Sequence, residues 1–267
     1  MLILLPPSET KRDGGAGDPL ALGTLSFGQL TPVRRSVLRA VAALSRNREA
    51  SIRALKLGPK QAGEVDRNRA ISKAPTMAAL ERYTGVLYDA LDAPALSAGQ
   101  RAFANENVAV HSALLGLVAA GDDIPAYRLS FDSRLSLAAG VPTLKKQWAP
   151  AVAQVLADRV GLILDLRSEG YAALGPTPAR DHVHYIRVLA RDASGNVRAL
   201  NHFNKQAKGL FTRAIIEAGV DFATTDELLD WARDEGYDLS VAADGGELEL
   251  VVPEVAGEPG KLMAVLR

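Results

Sequence analysis

The sequence predicts an α/β protein: a single compact mixed α/β domain with a central mixed sheet, several surrounding helices and a segment resembling a helix-hairpin-helix. Three observations carry this expectation. Short aliphatic runs at Leu2–Leu5 and residues 161–166 (Gly-Leu-Ile-Leu-Asp-Leu) have the length and hydrophobicity of strands buried on both faces. Longer segments elsewhere place apolar residues at helical spacing. The 267 residues are 48% hydrophobic and 23% charged, which suffices for one large core. No internal repeat or domain linker interrupts the chain, so residues 1–267 read as one domain.

The first strand ends at Pro6-Pro7, and residues 12–24 follow as a loop with Gly14, Gly15, Gly17 and Gly23. Thr31-Pro32 then has the look of an N-cap with proline at the first helical position. Val33, Val37, Leu38, Val41 and Leu44 continue that helix. A second helix is predicted over residues 76–91, with Met77, Leu80, Val86, Leu87 and Leu91 as its apolar positions. A third is predicted over residues 97–117, with Phe103, Val108, Val110, Leu114 and Leu115. After the strand at 161–166, residues 182–190 and 198–203 flank the turn-rich Asp192–Asn196 stretch and read as a β-hairpin. Asn204 is placed to cap a helix running to about Ala218, and residues 226–235 form another. Residues 247–252 alternate acid and aliphatic as a strand does, and residues 261–266 are expected to pair with them.

Composition removes whole classes of chemistry. Without cysteine there is no disulfide, thiolate metal site, iron–sulfur cluster or peroxidatic thiol. No apolar run approaches the roughly 18–20 residues of a membrane helix. The first residues lack the basic region of a signal peptide, so a soluble cytoplasmic protein without membrane contact is expected. The formal charge is zero, with 31 basic and 31 acidic side chains, but it is unevenly spread. Residues 31–73 carry eleven Lys/Arg against three acids, and residues 217–267 carry thirteen acids against three Lys/Arg. Either the protein has a basic face for an anionic partner or the two segments neutralise each other on folding.

Two polar loops follow the two most hydrophobic strands. The first holds Ser8, Glu9, Thr10 and Lys11, and the second holds Arg167, Ser168, Glu169 and Tyr171. Ligands of α/β sheets sit beyond the carboxyl ends of strands, so these residues form a candidate pocket. The alternative is that Ser and Glu merely cap following helices. In the segment from Asn204 to Ile216, Lys205 and Lys208 group with Thr212 opposite an apolar face. Lysines in a helix's first turn oppose the macrodipole by roughly 0.3–1 kcal/mol unless an anion sits there. Such lysines suit phosphate, although a solvated basic face fits the pattern equally. Residues 111–131 read as an apolar helix that stops at Gly116, a turn holding Gly121, and a second element with Tyr127 and Arg128. This resembles a helix-hairpin-helix, whose turn amides bind a phosphate backbone. Val118 stands at the usual second hairpin glycine and Asp122-Asp123 would repel phosphate, so a plain helix–turn fits these residues at least as well. His182 and His184 share one face of a strand, but no third metal ligand is spaced recognisably. No cofactor motif and no metal site is expected.

Taken together, seven stretches in order resemble the YaaA family of peroxide stress response proteins in its actinobacterial form. They are the opening Met-Leu-Ile-Leu-Leu-Pro-Pro-Ser-Glu-Thr-Lys, Tyr83-Thr84-Gly85-Val86-Leu87-Tyr88, residues 112–129 ending in Tyr-Arg-Leu, and Trp148. Leu166-Arg167-Ser168-Glu169-Gly170-Tyr171, Asn204-Lys205-Gln206-Ala207-Lys208-Gly209 with Arg213, and Glu235-Gly236-Tyr237 complete them. The resemblance implies a cytoplasmic DNA-binding protein that indirectly limits free iron during peroxide stress. It also implies a compact α/β fold with a helix-hairpin-helix and a basic cleft. On that carry-over Gly116 marks the hairpin, and Lys205, Lys208 and Arg213 line the cleft with Arg128. The residues themselves leave open an enzyme acting on a nucleotide or phosphorylated small molecule at Ser8, Glu9, Lys11, Arg167, Ser168 and Tyr171, beside Lys205 and Lys208. Direct iron binding is not expected, since the four histidines and the acidic end show no ordered ligand spacing.

Overall fold

The computed structural model describes residues 1–137, 143–192, 194, 196–199, 203–243 and 245–253. The strands are β1 (Leu2–Leu5), β2 (Met77–Ala78), β3 (Val108–Ser112), β4 (Gly116–Ala119), β5 (Asp123–Ile124), β6 (Ile163–Asp165), β7 (Val183–Arg191), β8 (Val197–Ala199), β9 (Asp238–Val241) and β10 (Glu247–Pro253). The α-helices are α1 (Thr31–Leu44), α2 (Arg48–Ala54), α3 (Glu64–Ala70), α4 (Ala79–Arg82), α5 (Val86–Leu91), α6 (Ala98–Asn107), α7 (Leu144–Ala157), α8 (Glu169–Ala172), α9 (Asn204–Ala218) and α10 (Thr225–Asp234).

Eight strands form the main sheet in the order β4-β3-β1-β6-β7-β10-β9, with β8 added to β7. The central five, β3 to β10, run parallel, while β4, β8 and β9 pair antiparallel to them. Parallel strands are covered by helices on both faces, which is why β1 is aliphatic without alternation and β6 is buried throughout, Asp165 included. Leu2, Ile3, Leu4 and Leu5 are accordingly all buried. One face carries His111 and Asp165 and packs on α7, whose Val152 lies against Gly175, as does His111. The other carries His184, which bonds Thr225 at the start of α10. On that side Phe211 of α9 contacts the rings of Trp231 and Tyr237.

The connection after β1 leads to β3 on one side, and the connection after β6 leads to β7 on the other. The carboxyl ends of these adjacent strands therefore form the topological switch point, where open α/β sheets bind ligands. Both polar loops singled out in the sequence emerge there.

Three expectations change. The helix predicted over residues 76–91 is broken: Met77–Ala78 pairs with β5, and Gly85 at φ +97° separates α4 from α5. The helix predicted over residues 97–117 ends at Asn107, after a capping box between Ser97 and Gln100. Beyond it Val108, Ala109 and Val110 pair with Ile3, Leu4 and Leu5, because a both-face-buried strand is as uniformly apolar as a buried helix. The helix-hairpin-helix is consequently absent from residues 108–119, which fold back as the antiparallel pair β3–β4. Gly116 is buried at the start of β4, at φ +69° against the ring of Trp148, and offers no hairpin amide to a partner. The predicted hairpin is β7–β8, with residues 200–202 outside the described residues. The proposed partner strand at 261–266 also lies outside them, and β10 pairs instead with β7 and β9. Sequence reading missed α7, α2, α3 and β9.

The turn between β3 and β4 is held by Ser112 Oγ, which accepts from the amides of Leu114 (3.1 Å) and Leu115 (3.0 Å). Trp148 Nε1 donates to Ala113 O at 2.9 Å. A Cβ on Gly116 would lie 2.6 Å from Trp148 Cζ3. Gly116→Ala should therefore cost about 2–4 kcal/mol, combining backbone strain and overpacking. Gly99→Ala, in α6 with no heavy atom within 4 Å of the added Cβ, should be neutral or stabilising. Urea unfolding midpoints check the pair, and equal midpoints would contradict this turn.

Candidate functional site

The site begins where β1 meets two prolines that cannot extend the ladder. The departing loop is fastened by the Tyr83–Tyr88 stretch. Tyr88 Oη donates to Pro6 O at 2.7 Å, Thr84 N donates to Ser8 Oγ at 3.1 Å, and Thr84 Oγ1 donates to Thr10 Oγ1 at 2.9 Å. Lys11 and Tyr83 form an isolated antiparallel bridge. No helix follows this loop, so Ser8 and Glu9 are not helix caps.

This fastening turns Lys11 inward, leaving it 7% exposed. Its Nζ donates to Ser8 O (2.9 Å) and Glu9 O (3.2 Å) and lies 4.2 Å from the ring centre of Tyr127 and 5.3 Å from that of Tyr83. Burial pushes the Lys11 amine down to about 7, helped by the nearby Arg128 and Arg67 cations and opposed by Glu64 and Glu9. Beneath it Tyr83 and Tyr127 bond hydroxyl to hydroxyl at 2.9 Å, and Tyr127 reaches Ser112 Oγ at 2.7 Å. Burial raises both tyrosines, so these hydroxyls keep their protons at neutral pH.

Arg128 stands beside Lys11. Asn68 of α3 clamps its backbone, donating to Arg128 O and accepting from Arg128 N, both at 2.8 Å. Its guanidinium pairs with Glu9 at 2.8 Å through one nitrogen, and its buried Nε has no hydrogen-bond partner among the described residues. Glu9 itself is exposed, while Tyr171 is buried against Phe131, with its ring centre 5.3 Å away. Ser8, Glu9, Lys11, Arg128 and Tyr171 thus converge, and Tyr83, Tyr127, Asn68 and Arg67 join them. None of these last four stood out as site residues in the sequence, because the contacts cross tens of residues. The one available signal was the Tyr83-Thr84-Gly85 stretch.

The remaining candidates are placed differently. Arg167 is fully buried: its Nε and Nη2 grip Asp165 at 2.8 and 2.6 Å, and its Nη1 reaches His111 Nδ1 at 2.7 Å and Gly175 O at 2.9 Å. Arg167 braces the end of β6, and this occupation of its donors corrects the expectation that it faces a ligand. His111 accepts from Arg167, and burial with that cation holds it well below the usual imidazole range. Ser168 and Glu169 are exposed at the start of α8.

On α9, Lys205 is exposed but Lys208 is buried, donating to Leu166 O at 3.0 Å with its Nζ 5.0 Å from the Tyr185 ring centre. Burial lowers Lys208 to about 8, with Asp165 opposing. Arg213 points to another place, donating to Leu91 O (3.0 Å) and Asp92 O (2.8 Å) at the end of α5 and to Glu217 (2.7 Å). The cleft lining expected from Lys205, Lys208, Arg213 and Arg128 is therefore not assembled. The reason is that α9 packs between the sheet and α5, where a Cβ on Gly209 would lie 2.2 Å from Leu87 O, so Lys208 and Thr212 of its polar stripe are buried and Lys205 alone stays exposed. His182 is exposed while His184 Nε2 bonds Thr225 Oγ1 at 2.8 Å. Among the described residues no three metal-capable side chains gather.

Lys11 also makes stability depend on pH. Its unfolded form binds a proton up to about 10.5 and its folded form only up to about 7. Between these values the unfolded state holds more protons, so the unfolding free energy rises with pH. Lys11→Met should flatten that rise, whose full span is on the order of a few kcal/mol. Urea titrations at pH 6, 7.5 and 9 check it, and parallel curves for the two proteins would contradict a buried amine.

The family described as "Peroxide stress protein YaaA" matches residues 1–243. A UPF0246 protein of Corynebacterium efficiens is 42% identical over 242 residues, covering 90% of this chain and 95% of that protein. Another from Streptomyces coelicolor is 38% identical over 267 residues, covering 96% and 100%. An uncharacterized protein of Campylobacter jejuni is 30% identical over 213 residues, covering 79% and 82%. By match length and shared identity the chain belongs to the YaaA peroxide stress protein family.

Proposed function

We propose that this protein serves in peroxide stress by binding duplex phosphates through the surface of α1, α2 and α3. One observation carries the reading. These three helices contact one another, and they and their connections expose Arg35, Arg39, Arg46, Arg48, Arg53, Lys56, Lys60, Arg69 and Lys73. Ion pairs of this region involve Asp13, Glu49, Glu64, Asp66 and Asp132, and among the described residues none joins it to the acidic segment after Glu217. Instead those acids pair with Arg187, Arg191, Arg213, Arg233 and the N-terminal ammonium. Among the described residues the two charged segments thus do not neutralise each other through ion pairs, which supports the basic-face alternative. Any limitation of free iron is then indirect, through the bound nucleic acid.

Phosphate contacts release counterions, so affinity should fall steeply with salt and depend little on sequence. Replacing Arg35, Arg39, Arg46 and Lys60 with alanine should reduce the log–log salt slope by about 0.9 for each phosphate no longer neutralised. Lys205→Ala/Arg213→Ala should leave it unchanged. A fluorescence anisotropy series on a random duplex checks this, and a quadruple variant that binds like wild type would contradict it.

A second reading is favoured by the convergence of Lys11 and Arg128 at the switch point: a small phosphorylated compound bound beyond β1 and β6. It is compatible with the first, since α3 borders both places.

A further inference from the structure

We propose that Lys11 is the nucleophile of a second centre, at which an anionic carbonyl compound held by Arg128 forms an imine with Nζ. The inference rests on the second reading above and adds a reaction to it. Four features of the molecule point there.

The first is position. Lys11 leaves the central strand at the point where this topology gathers ligand-binding groups. The second is the surrounding of the amine. It lies on the rings of Tyr127 and Tyr83, beside the cations Arg128 and Arg67. Desolvation and a neighbouring cation are the two means by which proteins activate a lysine for covalent work. At pH 7 an amine lowered to about 7 is half neutral, on the order of 10³ more than an ordinary lysine. Both N–H bonds of the neutral amine are used by Ser8 O and Glu9 O, and its lone pair is retained.

Third, Arg128 is built to take an anion. Its backbone is pinned by Asn68, it is 7% exposed, and its Nε lacks a partner among the described residues. A planar guanidinium binds carboxylate or phosphate through two nitrogens, whereas Glu9 occupies one. The fourth feature is Glu9 itself. Its side chain is 64% exposed on a loop, so it can leave Arg128 when a ligand anion replaces it, with charge conserved at the guanidinium.

The reaction balances without a redox partner. The Nζ lone pair forms a bond to the carbonyl carbon while the C=O bond opens to a hydroxyl. That carbon then expels the oxygen as water, both hydrogens coming from the amine, and the C=N bond forms.

Pyridoxal 5′-phosphate, a phosphorylated aldehyde whose imine absorbs visible light, serves as the probe. After reduction with cyanoborohydride, peptide mapping locates the adduct. Wild type should label Lys11 at least about tenfold faster than the exposed Lys60, Lys145 and Lys146. Inorganic phosphate should compete, Arg128→Met should remove the preference, and Lys11→Met should lose both the adduct and the imine band. Glu9→Gln should accelerate labelling. Thermal unfolding with inorganic phosphate separates the two claims. If phosphate stabilises wild type but not Arg128→Met while Lys11 stays unlabelled, the imine is overturned and the anion site stands. If phosphate changes nothing and label falls on exposed lysines alone, both are overturned.

Discussion

Pro6 and Pro7 cannot donate to a sheet ladder, so the central strand has to stop where it reaches them, and the geometry of the site follows from that stop. Up to Leu5 the strand pairs with β3 and β6 and is buried on both faces. Past Leu5 the chain must find its hydrogen bonds elsewhere, and Tyr88 and Thr84 supply them. The same contacts roll Lys11 under the loop. Had the strand continued, Lys11 would lie on the sheet instead of on two tyrosine rings.

Burying this amine is costly, and the fold offsets the cost locally. Two carbonyls accept from it and two aromatic faces lie against it. A similar logic operates at the end of β6, where Asp165 and Arg167 form a fully buried pair. Removing one partner of such a pair costs about 3–5 kcal/mol, because it leaves an uncompensated charge. The two strands of the switch point thus end in unlike chemistry. One ends in a braced ion pair in which every guanidinium nitrogen has a partner, the other in an amine and a guanidinium with a nitrogen unpartnered among the described residues. The difference separates scaffold from site, although the two loops are equally polar in sequence.

The charge distribution divides in the same way. Cations of α1–α3 are spaced so that most reach water, and few acids lie nearby. Cations of α9 follow a helical wheel that resembles a solvated stripe, yet Lys208 and Thr212 are buried. Helical periodicity reports which residues share a face. It does not report how many faces are covered, and α9 is enclosed by the sheet on one side and α5 on another. Residues 108–117 misled for a related reason, since uniform hydrophobicity cannot distinguish a buried helix from a strand between layers.

The amino-acid sequence by itself determined the α/β class, the single domain, the strands β1 and β6, the helices α1, α9 and α10, the β7–β8 hairpin and the family. These depend on local composition and period, which neighbouring residues encode. It also singled out both polar loops, because each directly follows one of the two most hydrophobic runs. Tertiary structure alone decided strand order, and so that these loops share one end of the sheet. It decided that Lys11 meets Tyr83, Tyr127 and Arg128 while Arg167 and Arg213 turn to structural partners. Such outcomes depend on contacts between residues far apart in the chain, and a side chain's desolvation exists only once those contacts form.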